Sequence, residues 1–328
     1  MEKKYCKFLL NSLSFHQKNI RFCTTLCLGE IISEYKETPK ELAEKIQLTR
    51  KRVKNNLDIN IIPEGCIDCI YKNQGSCNSD KISRIDLYYW YHCNCGCFYC
   101  SYRDETKGEF SDKVKYGNPV IYETLKELYK LDEIDKENLF VNFGGGELGV
   151  LKEYPKLIDL FLKNNVKSIW CETSGIKFSR ALAKALEKGK AGLSAAICSG
   201  SPETYKKIKK RDKYYQVLNT LKRYAKAAKK CKTNPSNISN VISKYIILQG
   251  FNNNTEEIDK WLIDSKKIGL NQVEISMEFC WGIHTKKGEK VEDYNYELFD
   301  YAEKKCKELG LTLKKNETSL ALMEQGHY

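Results

Sequence analysis

From residue 84 onward, apolar positions along the chain follow two alternating rhythms. Short β-rich runs alternate with longer stretches whose apolar residues recur at helical spacing. The short runs predict strands over residues 85–91, 139–143, 166–171, 192–198, 241–248 and 272–277. The longer stretches predict helices over 120–131, 154–163, 178–188, 202–230, 255–268 and 294–309. Ser201 before Pro202, and Thr255 before Glu256 and Glu257, are sound helix starts. Gly189, Gly269 and Gly310 are sound stops. Six strand-then-helix units in series imply a parallel sheet with right-handed crossovers. Six are too few for a closed eight-fold barrel, so the expected fold is α/β: a partial (β/α)6 TIM-like barrel, with its chemistry on the loops after the strands.

Ahead of this pattern, residues 1–80 predict one helix, over 38–48. Thr38 caps it, Pro39 fits the first turn and Glu41 completes a capping box. Three parts are expected: a cysteine-rich segment over 1–80, the barrel over 81–285, and a helix and tail over 286–328 that close it. The basic run from Lys206 to Lys232 has the pattern of one long solvated helical face.

Composition changes the picture through cysteine. The 328 residues include 15 cysteines, with no apolar run near the ~18 residues of a membrane span and no cleavable signal at the N-terminus. A cytoplasmic location is therefore expected, where thiols stay reduced and clustered cysteines point to metal rather than disulfides. The net charge of +12 comes from 47 Lys and only 8 Arg. Sequence-specific nucleic-acid readers lean on Arg forks, so nucleic acid is a minor expectation and membrane none.

The densest cluster follows the first barrel strand: Tyr91-His92-Cys93-Asn94-Cys95-Gly96-Cys97-Phe98-Tyr99-Cys100. Thiolates at Cys93, Cys97 and Cys100 can face one iron–sulfur cube and leave its fourth iron open. A zinc site, with Cys95 or His92 as fourth ligand, is the alternative. The Cys-x3-Cys-x2-Cys spacing, with aromatic Tyr99 before the last cysteine, resembles the radical S-adenosylmethionine (SAM) superfamily. That resemblance implies a [4Fe–4S] cluster on the three outer cysteines, with SAM on its open iron and Cys95 packed aside.

Further stretches match that superfamily in order, over about residues 84–280. Gly144-Gly145-Gly146-Glu147 resembles the element that holds the amino group of SAM, with Leu148 where the family usually has Pro. Glycines let backbone approach a ligand, and a carboxylate suits an ammonium. Glu172 and Ser174 fall where the family contacts the ribose. Cys198-Ser199-Gly200-Ser201-Pro202-Glu203 resembles a stretch that usually begins with Asp, and Ser199 is expected to reach SAM. Lys210 or Arg211 would meet the SAM carboxylate. Lys244 to Gln249, with Gly250, resembles the family strand whose backbone flanks the adenine.

Before the barrel, Leu13-Ser14-Phe15-His16, Ile20-Arg21-Phe22-Cys23 and Gly65-Cys66-Ile67-Asp68-Cys69 resemble the strand pair and Cys-x2-Cys of SPASM or twitch auxiliary-cluster domains. In the family these lie after the barrel. The implied ligands of a second [4Fe–4S] cluster are Cys6, Cys23, Cys66 and Cys69, with Cys27 and Cys77 as alternates. A zinc knuckle or unliganded thiols are the other readings.

The resemblance implies reductive cleavage of SAM to a 5′-deoxyadenosyl radical, which abstracts hydrogen from a peptide or sugar-type substrate. An electron donor such as flavodoxin or ferredoxin would feed the cluster. An auxiliary cluster suits oxidation, by dehydrogenation or crosslinking. Epimerisation instead needs a thiol hydrogen donor, for which Cys280 is the first candidate and Cys198 the second. A radical SAM enzyme acting on tRNA and a zinc-stabilised nucleic-acid-binding protein are the readings from other classes.

Overall fold

The computed structural model describes residues 9–23, 31–58, 81–100, 119–231, 241–277 and 296–315. The chain divides into two compact units. One takes residues 1–92 and 110–171, the other 93–109 and 172–328.

In the first unit the strands are β1 (Ser12–His16), β2 (Ile20–Phe22), β3 (Ile31–Ser33), β4 (Arg84–Tyr88), β5 (Phe140–Phe143) and β6 (Ser168–Thr173), the last running two residues past the unit boundary. Their order is β3-β2-β1-β4-β5-β6. β4, β5 and β6 run parallel, as predicted. β1 joins β4 in parallel register, while β2 and β3 are antiparallel additions. The stretch that resembles an auxiliary-cluster strand pair is thus a strand pair, and it extends the barrel sheet from β4.

Alternation sorts this sheet into two faces. Leu13, Phe15, Ile85, Leu87, Val141 and Phe143 lie on one face and are fully buried. Helix α3 (Tyr154–Lys163) covers Phe143 through Tyr154 and Phe161. The opposite face carries Ser14, His16, Arg21, Arg84, Asp86, Tyr88, Asn142 and Trp170 in matching register.

Helix α1 (Pro39–Asp58) starts on the expected capping box: Thr38 N donates to Glu41 Oε2 at 2.9 Å, and Glu41 N to Thr38 Oγ1 at 3.4 Å. It runs ten residues beyond the expected end. Nothing after Leu48 breaks a helix. Arg50 is buried, pairs with Glu133 and donates to the Leu10 carbonyl at 3.2 Å. Helix α2 (Pro119–Lys130) completes the unit and packs on α1.

In the second unit β7 (Ala191–Ala196), β8 (Val241–Ile247), β9 (Gln272–Met277) and β10 (Thr312–Lys315) are parallel and neighbours in that order. β10 was not predicted: its Lys314 and Lys315 leave no apolar run to detect, and such charges suit an edge strand. The helices are α4 (Arg180–Glu187), α5 (Pro202–Lys209), α6 (Tyr214–Ala228), α7 (Thr255–Lys267) and α8 (Tyr296–Leu309). Tyr245, Ile247, Val273, Ile275 and Met277 form one core with Trp261 and Leu262 of α7 and Phe299 and Ala302 of α8. Across β8 and β9, Lys244 pairs with the buried Glu274 at 2.9 Å. Each of β4 to β9 is followed in sequence by a helix, which gives the six expected units.

One expected helix is two. The predicted stretch 202–230 breaks at Lys210, whose φ of +55° is left-handed. The run is therefore not one long solvated face, and the break turns α5's last residue inward.

Candidate active site

Two structures follow from the motifs, one in each unit. In the first unit, Gly144-Gly145-Gly146-Glu147 leaves β5 and is tied to the backbone at the end of β4 and just after it. Gly144 N donates to Leu87 O at 3.1 Å, Gly146 N to Trp90 O at 2.8 Å and Glu147 N to His92 O at 2.9 Å. β4 ends at Tyr88, earlier than predicted, because the carbonyls that follow serve these glycines. A Cβ on Gly145, whose φ is +96°, would lie 2.7 Å from Trp90 O. On Gly146 it would lie 2.7 Å from Trp90 Cδ1 and 2.8 Å from the Tyr91 carbonyl carbon. The glycines are a steric requirement of this backbone-on-backbone packing. Glu147 is 2% exposed, and its Oε1 accepts from Gly149 N at 3.1 Å.

The polar sheet face lies in the same unit. His16 Nε2 hydrogen-bonds Ser14 Oγ at 2.8 Å, and its ring stacks on Tyr88 at 6.0 Å. Burial, and behind it the Arg21 guanidinium, hold the His16 imidazole below its usual range, while Asp86 pulls the other way. Asn142 Nδ2 donates to Tyr88 Oη at 2.5 Å, and Asn142 Oδ1 is buried without a partner among the described residues.

In the second unit, the loop from Cys93 to Cys100 carries four thiols, none in a disulfide. Cys95 N donates to Cys93 Sγ at 3.3 Å, an amide-to-sulfur contact that suits a thiolate cluster ligand. The Cys95 hydrogen bond to Cys93, reinforced by burial, pushes its thiol up to about 11, against the pull of Cys97 and Lys209. Among the described residues, no three His, Cys, Asp or Glu side chains stand as a ready metal site.

The loop rests on the end of α5. Gly96 N donates to Lys209 O at 2.9 Å, and Arg211 Nε to Asn94 O at 2.7 Å. Lys209 is 2% exposed, and its Nζ donates to Tyr99 Oη at 2.6 Å and lies 5.1 Å from the ring centroid. Tyr99 Oη also meets Cys198 Sγ at 3.3 Å. Burial pushes the Lys209 ammonium down, but Cys198, Cys97 and Cys95 together push it further up, so it is held protonated. Among the described residues, no carboxylate pairs with it. A buried cation whose described neighbours are thiols and a phenol suits negative charge on sulfur, and this donor set fits an iron–sulfur cluster.

Cys198 itself is fully buried with a left-handed φ of +58°. It ends its strand two residues earlier than predicted, and Asn252 Nδ2 holds its carbonyl at 2.7 Å. Asn252 also accepts from Leu248 N at 2.6 Å through Oδ1. The adjoining Ser199 is 0% exposed, and its hydroxyl has no hydrogen-bond partner among the described residues. Ser174 Oγ donates to Asn94 Oδ1 at 3.0 Å, and Glu172 and Gln249 are exposed. Arg211 donates to Asn94 O through Nε and to Lys210 O through Nη1. Cys23 is buried. Cys280, Cys6, Cys27, Cys66, Cys69 and Cys77 lie outside the described residues.

Sequence reasoning missed Lys209, Asn252 and Glu257. Glu257 accepts from Gly200 N at 2.7 Å, Ser201 Oγ at 2.6 Å and Thr204 Oγ1 at 3.0 Å, and so fixes the start of α5. Lys209 had a signal. It stands four residues after Tyr205 and one after Ile208, on the buried side of its helix.

The family profile described as the Radical SAM superfamily matches residues 87–262, more than half of the chain. The chain belongs to the radical SAM superfamily. Membership implies a [4Fe–4S] cluster and SAM, and it replaces the zinc-protein reading with that of a radical SAM enzyme. None of the curated proteins compared matches the chain. Among solved structures, SuiB of Streptococcus suis bound to S-adenosylmethionine aligns with a TM-score of 0.51 and 13% identity, over 87% of this chain and 57% of SuiB. SuiB bound to the precursor peptide SuiA aligns with a TM-score of 0.50 and 12% identity, over 95% and 73%. A structure of anSMEcpe with bound AdoMet gives 0.47 and 18%, over 71% and 63%. The two SuiB likenesses are of fold, the partial TIM-like barrel that the six units predict. The chain spans a little over half of the length of the first of them. No described helix is long and apolar enough to cross a membrane.

Proposed function

We propose that this radical SAM enzyme oxidises a peptide substrate, by dehydrogenation or crosslinking. Cys93, Cys97 and Cys100 hold its SAM cluster, and N-terminal cysteines hold an auxiliary cluster that takes up the substrate's electron. The observation that carries the reading is the three-thiol loop backed by the buried, carboxylate-free Lys209 in a chain of this superfamily. When bound, the cluster and SAM supply reductive cleavage to a 5′-deoxyadenosyl radical that removes hydrogen from a substrate carbon.

The chain's own residues bind and orient. Glu147, fixed by Gly149, offers a carboxylate for the SAM ammonium. The Ser199 hydroxyl offers a polar atom with no partner among the described residues. Arg21, His16 and Asn142 give the polar sheet face donors and acceptors suited to peptide amides. Fold likeness to SuiB bound to precursor peptide SuiA favours a peptide over a sugar.

Anaerobic reconstitution tests this. Wild type should bind about eight irons and the Cys93→Ala/Cys97→Ala/Cys100→Ala variant about four. Only wild type should form 5′-deoxyadenosine with dithionite and SAM. A candidate peptide should lose two hydrogens by mass. Solvent deuterium in a product of unchanged hydrogen count would replace oxidation by epimerisation with a Cys280 or Cys198 donor. Four irons falling to none would remove the auxiliary cluster.

A further inference from the structure

The run from Lys206 to Lys213 holds five lysines, and only one of them is buried. Lys206, Lys207, Lys210 and Lys213 are exposed, whereas Lys209 is 2% exposed. A buried ammonium costs several kcal/mol unless something compensates it. Here the groups near it are the Tyr99 hydroxyl and the thiols of Cys198, Cys97 and Cys95. Among the described residues, no carboxylate reaches it. Negative charge on these sulfurs is the compensation that the described neighbours can supply.

The backbone is shaped to deliver this side chain. Glu257 fixes the start of α5 through Gly200, Ser201 and Thr204. Eight residues later the helix stops at the left-handed Lys210. That stop leaves the Lys209 carbonyl for Gly96 N and brings Arg211 to Asn94 O. The segment thus grips the cysteine loop at Asn94, Gly96 and Tyr99 while it places one positive charge behind it.

We infer that Lys209 is a positioning residue that sets the reduction potential of the cluster on Cys93, Cys97 and Cys100, its fixed charge favouring the reduced, more negative state. The physical reason is Coulombic: each electron added to the cluster is stabilised by a nearby cation, and burial keeps water from screening that charge. The inference rests on the proposed ligand assignment and adds a role for a residue outside the motif.

The test is a redox titration of the reconstituted protein, followed by electron paramagnetic resonance. It is read on the signal that the Cys93→Ala/Cys97→Ala/Cys100→Ala variant lacks. Lys209→Met should keep its iron, while its midpoint moves to more negative potential by at least a tenfold change in the reduced-to-oxidised ratio, or about 59 mV for one electron. Lys209→Arg, which keeps the charge, should stay close to wild type. If Lys209→Met does not load iron, Lys209→Gln is titrated in its place with the same expectation. A neutral variant that loads iron with an unchanged or raised midpoint overturns the inference. So does a failure of both neutral variants to load iron while each keeps its wild-type circular dichroism, since the charge would then serve assembly and not potential. Wild type that takes up no iron would instead overturn the cluster assignment itself.

Discussion

The glycine cradle and the cysteine loop solve the same problem with opposite means. Each must hold an irregular stretch of chain after a strand. The cradle does it with backbone alone, as three amide-to-carbonyl bonds at 2.8–3.1 Å draw Gly144, Gly146 and Glu147 against the end of β4 and the chain just after it. The loop does it largely with side chains, through Lys209, Arg211, Tyr99 and Asn94. Backbone packing tolerates no Cβ, so it forces a residue type. Side-chain support can be built in many ways, so it forces none.

The sharpest way to break this contrast is Gly146→Ala. The added carbon meets Trp90, Tyr91 and His92, and two of the three contacts are backbone that cannot yield cheaply. A loss of about 3 kcal/mol or more is expected in thermal or urea unfolding of the metal-free protein, with SAM binding lost as well. Retained stability would mean the cradle flexes, and the contrast with the loop would fail.

Glu257→Gln probes the support behind the loop. The amide leaves at least one of three donors at the start of α5 without a good acceptor, at a cost of about 1–3 kcal/mol. Iron loading should stay near wild type, because the motif thiols are untouched. A stability change below about 0.5 kcal/mol would show that α5 is held by packing rather than by this carboxylate.

The smallest effect concerns His16. Burial and Arg21 hold its folded pKa below 6.5, so the folded protein refuses a proton that the unfolded chain accepts. Its contribution is present above about pH 6.5 and is lost as pH falls from there toward the folded value. His16→Gln should flatten the pH dependence of Tm between pH 7.5 and 5.5. An unchanged slope would assign it to other groups.

Much of this was legible. All six barrel strands and their helices lie within a few residues of their predicted positions, because each strand must bury one apolar face and each helix one apolar stripe. The capping box at Thr38 and Glu41 was legible because it is local. The break at Lys210 was not: no glycine or proline marks it, and what ends α5 is the demand of Gly96 N for the Lys209 carbonyl. The pairing of β1 with β4 joins residues about seventy positions apart, which no local pattern records.

By itself, the sequence determined the α/β class, the six units, the three-cysteine motif and the glycines after β5, since period, thiol spacing and steric freedom are properties of neighbouring residues. Only the tertiary structure decided which of five lysines is buried, that Glu257 and Asn252 fix the backbone around Cys198, and that an N-terminal strand pair extends the barrel sheet. Those are contacts between residues distant in the chain. The free energy that selects them is burial and pairing of polar groups, which has no meaning until the chain has folded.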